Sequence, residues 1–110
     1  MTHQVSFSGQ ITPEQVQQIV DQGFKTIINN RPDGEAADQP KNADIAAAAK
    51  QAGVAYKEIL FAGNALTQPI VEEFADYFNQ AEQPVFMFCR TGNRSNGLYE
   101  AAKQMDLLDD

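Results

Sequence analysis

The run Val85-Phe86-Met87-Phe88 is apolar at four consecutive positions, is closed upstream by Gln83-Pro84, and leads straight into Cys89 and a glycine-containing loop. Successive side chains of a strand point to opposite faces of its sheet, so a strand-length run without polar alternation has both faces covered. It predicts a central strand with helices packed above and below.

The remainder of the chain supplies those layers. Val5 and Phe7 alternate with polar residues before Ser8-Gly9, the pattern of a half-buried first edge strand. Thr12, Pro13 and Gln15 form a helix-start signature with a capping box, and Gly23 is a stop, which predicts a helix over 13–22. Its apolar residues Val16, Ile19 and Val20 share one stripe. Phe24 to Asn30 is short and β-branched, and Arg31-Pro32-Asp33-Gly34 closes it as a turn. The alanine-rich stretch 42–52 predicts a helix ending before Gly53, and β character resumes over 54–60. Thr67 is placed to cap a further helix carrying the stripe Ile70, Val71, Phe74, Tyr77 and Phe78. Leu98, Ala101, Ala102 and Met105 mark a last helix. Four strands alternating with four helices predict an α/β fold: a three-layer arrangement of a mainly parallel sheet with helices on both faces.

With 110 residues and no internal repeat or linker, the chain is expected to be a single domain, residues 1–110. The net charge of −7 disfavours nucleic acid and anionic membrane surfaces as partners. It leaves room for a small anionic substrate, because screening confines that field to about 8–10 Å and a local arginine cluster dominates at short range. No apolar stretch reaches the roughly 18 residues of a membrane span. One cysteine makes neither an internal disulfide nor a multi-thiolate metal site, and His3 has no spaced partner ligand. The expectation is a cytoplasmic protein without a metal or cofactor.

Cys89-Arg90-Thr91-Gly92-Asn93-Arg94-Ser95 carries the chemistry. Ligands of open α/β sheets bind beyond the carboxyl ends of central strands, where the next helix directs its N-terminus. Amides of Arg90, Thr91, Gly92 and Asn93, and a helix starting near Ser95, would stabilise both a thiolate and a bound oxyanion. Arg94 adds a planar fork that grips two anion oxygens. Gly92 permits a backbone conformation or a close approach that side chains prevent, and Ser95 has a hydroxyl to donate to sulfur. Arg90 is a second local charge, directed to the site or to solvent. Such surroundings commonly lower a cysteine pKa from about 8.5 to roughly 3.5–7.5, which makes Cys89 the expected nucleophile.

The loop resembles those of two cysteine-dependent groups, the protein-tyrosine and dual-specificity phosphatases and the rhodanese sulfurtransferases. Together with Ser8-Gly9-Gln10-Ile11 and the stretch from Gly23 to Glu35, it is similar to a bacterial phosphatase-like family also found attached to beta-lactamase-like hydrolases. That resemblance implies a dual-specificity-phosphatase-like fold and a hydrolase acting on a phosphate monoester through a phosphocysteine. Cys89 would attack phosphorus, Arg94 and the loop amides would hold the oxyanions, and Ser95 would assist release.

Two departures keep alternatives open. Four residues separate Cys89 from Arg94, one fewer than in tyrosine phosphatases, and Phe88 stands where those enzymes usually have histidine. The shorter spacing is that of rhodanese loops, which carry a persulfide, although the upstream rhodanese signature is absent. Nor does Phe61-Ala62-Gly63-Asn64-Ala65-Leu66 contain the carboxylate that phosphatases place after the third strand. Asp33 is the candidate for a substitute acid, because its turn follows a strand that could end at the same rim, although Pro32-Asp33-Gly34 is also ordinary turn chemistry. Arg31 is a candidate for binding the substrate anion. Tyr56, Phe61 and Tyr99 read as core, Glu58 as a solvated strand residue, and Glu72, Glu73 and Asp76 as a solvated helix face. The alternatives are a sulfurtransferase taking sulfur from a sulfane-sulfur donor, and a non-catalytic anion-binding module.

Overall fold

A computed structural model describes residues 3–109 of the chain. Strands β1 (Val5–Ser8), β2 (Thr26–Asn29), β3 (Ala55–Glu58) and β4 (Val85–Phe88) form one sheet in the order β1-β4-β2-β3. All three pairings are parallel, with Phe7 opposite Met87 and Met87 opposite Ile28. The apolar run is therefore one of two central strands, and β1 is an edge strand as its alternation predicts. Helices α1 (Val16–Asp21), α2 (Asn42–Ala52), α3 (Gln68–Gln80) and α4 (Asn93–Gln104) alternate with the strands.

The pleat of β4 divides the core in two. Phe86 and Phe88 join Ile27 of β2, Val16 and Ile19 of α1, and Ile45 and Ala49 of α2 on one face. Val85 and Met87 join Ile28, Val71, Phe74 and Phe78 of α3, and Leu98, Tyr99 and Ala102 of α4 on the other. Phe74 and Phe78 are almost fully buried, and burying such side chains contributes roughly 1.5–3 kcal/mol each. Glu72, Glu73 and Asp76 lie on the exposed side of α3.

Local chemistry differs from expectation at three helix starts. The segment expected to be one helix over 13–22 opens as a 3-10 turn at Pro13–Gln15, with Gln15 Oε1 accepting the Thr12 amide at 2.9 Å. Thr67 occupies the N-cap position of α3 without a side-chain cap bond. Pro69 in that helix's first turn has no amide N–H, so one donor fewer is left for a cap to satisfy. α4 starts at Asn93, two residues before Ser95, because Gly92 adopts φ +95° and turns the chain directly into the helix.

Candidate active site

The site lies where β1, β4 and β2 end side by side. Cys89 follows β4 and is 1% exposed. Its amide donates to Ser8 O at 3.2 Å, and the Gln10 amide donates to Arg90 O at 3.4 Å, so the loop is stitched to the end of β1. Two glycines permit this approach. A Cβ on Gly9 would stand 3.0 Å from Arg90 O, and one on Gly92 would stand 3.4 Å from the Ser8 backbone. Since Gly92 also has positive φ, Gly92→Ala is expected to cost roughly 1–3 kcal/mol, read as a lower urea midpoint with an unchanged slope.

The loop curls around sulfur. The Gly92 amide donates to Cys89 Sγ at 3.1 Å. Burial by itself pushes the thiol up, but the amides of Ser95, Thr91 and Gly92 together hold it below its ordinary value, and the Ser95 hydroxyl lies within reach of sulfur. Arg90, Thr91 and Asn93 are exposed, and Thr91 Oγ1 accepts the Asn93 amide at 3.3 Å. Ser95 is fully buried and donates to Asn30 Oδ1 at 2.7 Å.

Arg94 is held as a fork by a residue that the sequence reading does not include among the site residues. Glu35 receives Arg94 Nη1 and Nη2 on its two carboxylate oxygens, each at 3.1 Å, and Arg94 Nη1 also donates to Phe61 O at 3.1 Å. Gly63 passes alongside the guanidinium, so the loop after β3 covers Arg94. Glu35 also accepts Arg31 Nε at 3.0 Å, while Arg31 Nη1 reaches Gln10 Oε1 at 3.1 Å. Arg31 is 5% exposed and thus belongs to a network spanning the rim from β1 to α4. The bidentate Arg94 contact, with help from Arg31, holds Glu35 below the usual carboxylate range despite partial burial. Glu35 is therefore ionised at neutral pH and poorly suited to donate a proton.

Asp33 lies in the turn after β2, where its Oδ1 accepts the Asn42 amide at 2.8 Å at the start of α2. A carboxylate there complements the helix dipole. Phe61 and Tyr99 are core residues, and Tyr99 Oη lies 2.8 Å from His3 Nδ1. Tyr56 is half-buried and donates to Asn42 Oδ1 at 2.6 Å; Glu58 is exposed and also contacts Asn42. Like Glu35, Asn30 and Gln10 contact the site residues without standing out in the sequence. The signals were slight: a carboxylate four residues after Arg31, and an asparagine closing a short β-branched strand pattern.

Residues 1–105 match the family described as the phosphatase-like domain of beta-lactamase hydrolase-like proteins. A beta-lactamase hydrolase-like protein of Agrobacterium fabrum is 41% identical over 85 residues, covering 77% of this chain and 20% of that protein. This chain thus spans about a fifth of that relative's length. Among solved structures, a candidate phosphatase from Neisseria meningitidis superposes with TM-score 0.86 at 35% identity, covering 96% of this chain and 75% of that one. The core catalytic domain of a PP-IP phosphatase from S. cerevisiae superposes with TM-score 0.71 at 15% identity, covering 96% and 64%, a likeness of fold alone.

Proposed function

Because the chain belongs to the phosphatase-like domain family of beta-lactamase hydrolase-like proteins, we propose that it hydrolyses a small phosphate monoester with Cys89 as the nucleophile. The observation that carries this reading is the buried sulfur inside a ring of amide donors at the end of a central strand, with Arg94 fixed on the same loop. Thiolate Sγ attacks phosphorus, forming an S–P bond as the ester P–O bond breaks. The leaving oxygen takes that electron pair and is protonated by solvent. Water then cleaves the S–P bond, releasing inorganic phosphate and regenerating the thiolate. Loop amides and Arg94 supply the oxyanion contacts.

Leaving-group protonation is the weak link. Glu35 is engaged by two arginines, Asp33 contacts the start of α2, and the loop after β3 has no carboxylate. General acid catalysis is worth typically about 10²–10⁴ in rate. Aryl phosphates, whose leaving groups need little protonation, are therefore expected to be hydrolysed far faster than alkyl phosphates. Asp33→Asn sharpens that preference if Asp33 serves as the acid, and lowers both rates alike if its role is at the turn.

A second reading is favoured by loop size and by the prior engagement of Arg94. Four residues separate Cys89 from Arg94, and both terminal nitrogens of Arg94 already have partners. A persulfide adds one sulfur atom and needs less room than a phosphoryl group. With thiosulfate, Sγ attacks the outer sulfur, the S–S bond breaks, and sulfite departs with the electron pair.

Intact-protein mass spectrometry after brief exposure to an aryl phosphate or, separately, thiosulfate distinguishes the two. Phosphocysteine with phosphate release supports the phosphatase. A persulfide transferred rapidly to cyanide, with neither phosphocysteine nor phosphate release, replaces it with the sulfurtransferase.

A further inference from the structure

Asn30 is fully buried immediately after β2, and every polar group it has is engaged. Its amide donates to Phe88 O at 2.9 Å and its carbonyl accepts the Phe61 amide at 3.3 Å. Its side-chain Nδ2 donates to Ile59 O at 2.9 Å. That last bond fixes the orientation of the amide group, because the flipped arrangement would set Oδ1 against the Ile59 carbonyl, two acceptors facing each other. Oδ1 therefore faces Ser95 Oγ at 2.7 Å and can only accept. A serine hydroxyl has one proton, so Ser95 cannot give it to Asn30 and Cys89 at once.

We propose that Asn30 is a positioning residue that competes with Cys89 Sγ for the single Ser95 hydroxyl proton and holds it in the resting site, leaving the thiolate to the loop amides. Ser95 Oγ then turns lone pairs toward sulfur, an arrangement suited to an S–H and not to a thiolate. Asn30 thereby keeps the thiolate more basic than the loop alone would, and a more basic thiolate is intrinsically the stronger nucleophile. This inference rests on the reading of Cys89 as a nucleophile.

The charged groups around the cysteine are Arg90 and Arg94 on its own loop and Arg31 and Glu35 on the loop after β2; the adjoining Ser8, Gly9 and Gln10 are uncharged. None of these is altered in the test. The pH midpoint of Cys89 alkylation by iodoacetamide is measured for the full chain, Ser95→Ala, Asn30→Ala and the double variant. Ser95→Ala is expected to shift the midpoint by less than roughly 0.3 unit, because its proton is not on sulfur. Asn30→Ala frees that proton and lowers the midpoint by roughly 0.5–1 unit, while the double variant returns near the starting value. A purely structural role for Asn30 would give no Ser95-dependent shift.

A rise of about one unit in Ser95→Ala alone overturns the proposal, because it means Ser95 donates to the resting thiolate. That measurement decides even where Asn30→Ala fails to fold. An unchanged midpoint in Asn30→Ala, or a lowered one that persists in the double variant, overturns it as well. An unaltered chain whose Cys89 reacts no faster than an ordinary thiol defeats instead the nucleophile reading beneath it.

Discussion

Cys89→Ser is expected to abolish turnover of both aryl phosphate and thiosulfate, with no covalent adduct on the protein. Both reactions begin with attack by sulfur, and a serine hydroxyl is a weak nucleophile without an adjacent base. The small change of atom leaves the Gly92 and Ser95 contacts sterically possible, so folding should persist with a circular dichroism spectrum like that of the unaltered chain. Arg94→Lys tests the neighbouring group. Lysine keeps the charge but loses the planar fork that meets both oxygens of Glu35. Removing one preorganised oxyanion donor typically costs about 10²–10³ in kcat. An unchanged kcat/KM in Arg94→Lys would show that Arg94 is not the oxyanion clamp.

The second large effect is expected at Glu35, which touches Arg94 and Arg31 from outside the loop. Glu35→Gln retains an acceptor of similar shape but removes the charge and the bidentate match. Arg94 should then sample other orientations, and misplacement of a positioned group by about 1 Å can lower rates about 10²-fold. The loss should fall on kcat more than on KM if Arg94 acts mainly on the transition state. Acid offers an independent check. The folded-state pKa of Glu35 is depressed, so its stabilising contribution is fully present above its unfolded value and is lost as pH falls through the folded value. Neutral-pH unfolding midpoints should therefore lie below those of the unaltered chain in Glu35→Gln, and the gap should narrow in acid. A gap that widens in acid, together with full activity of Glu35→Gln, would remove Glu35 from the site.

Much of the architecture was legible because it rests on local periodicity. The two-faced apolar run over 85–88 and the stripe from Ile70 to Phe78 each carry their burial pattern within a dozen residues. The α2 boundaries at Asn42 and Ala52 follow similarly from alanine-rich propensity and from Gly53, which adopts φ +78°. The split of residues 13–22 into a 3-10 turn and a short helix was less legible, since the same capping chemistry starts either geometry.

By itself the sequence determined the alternating elements, the central strand and the contiguous loop from Cys89 to Ser95, because each is encoded by neighbours along the chain. Only the tertiary structure decided which distant groups complete that loop. Glu35 lies 59 residues from Arg94, and Asn30 lies 65 from Ser95. The turn carrying Glu35 has no periodicity to reveal its direction, and Asn30 in isolation resembles the polar end of any strand. Their roles arise because β2 pairs directly with β4, which brings the end of one strand against the loop that follows the other. Once buried there, polar groups require partners. The fold leaves Glu35 facing two guanidinium groups and Asn30 facing one hydroxyl.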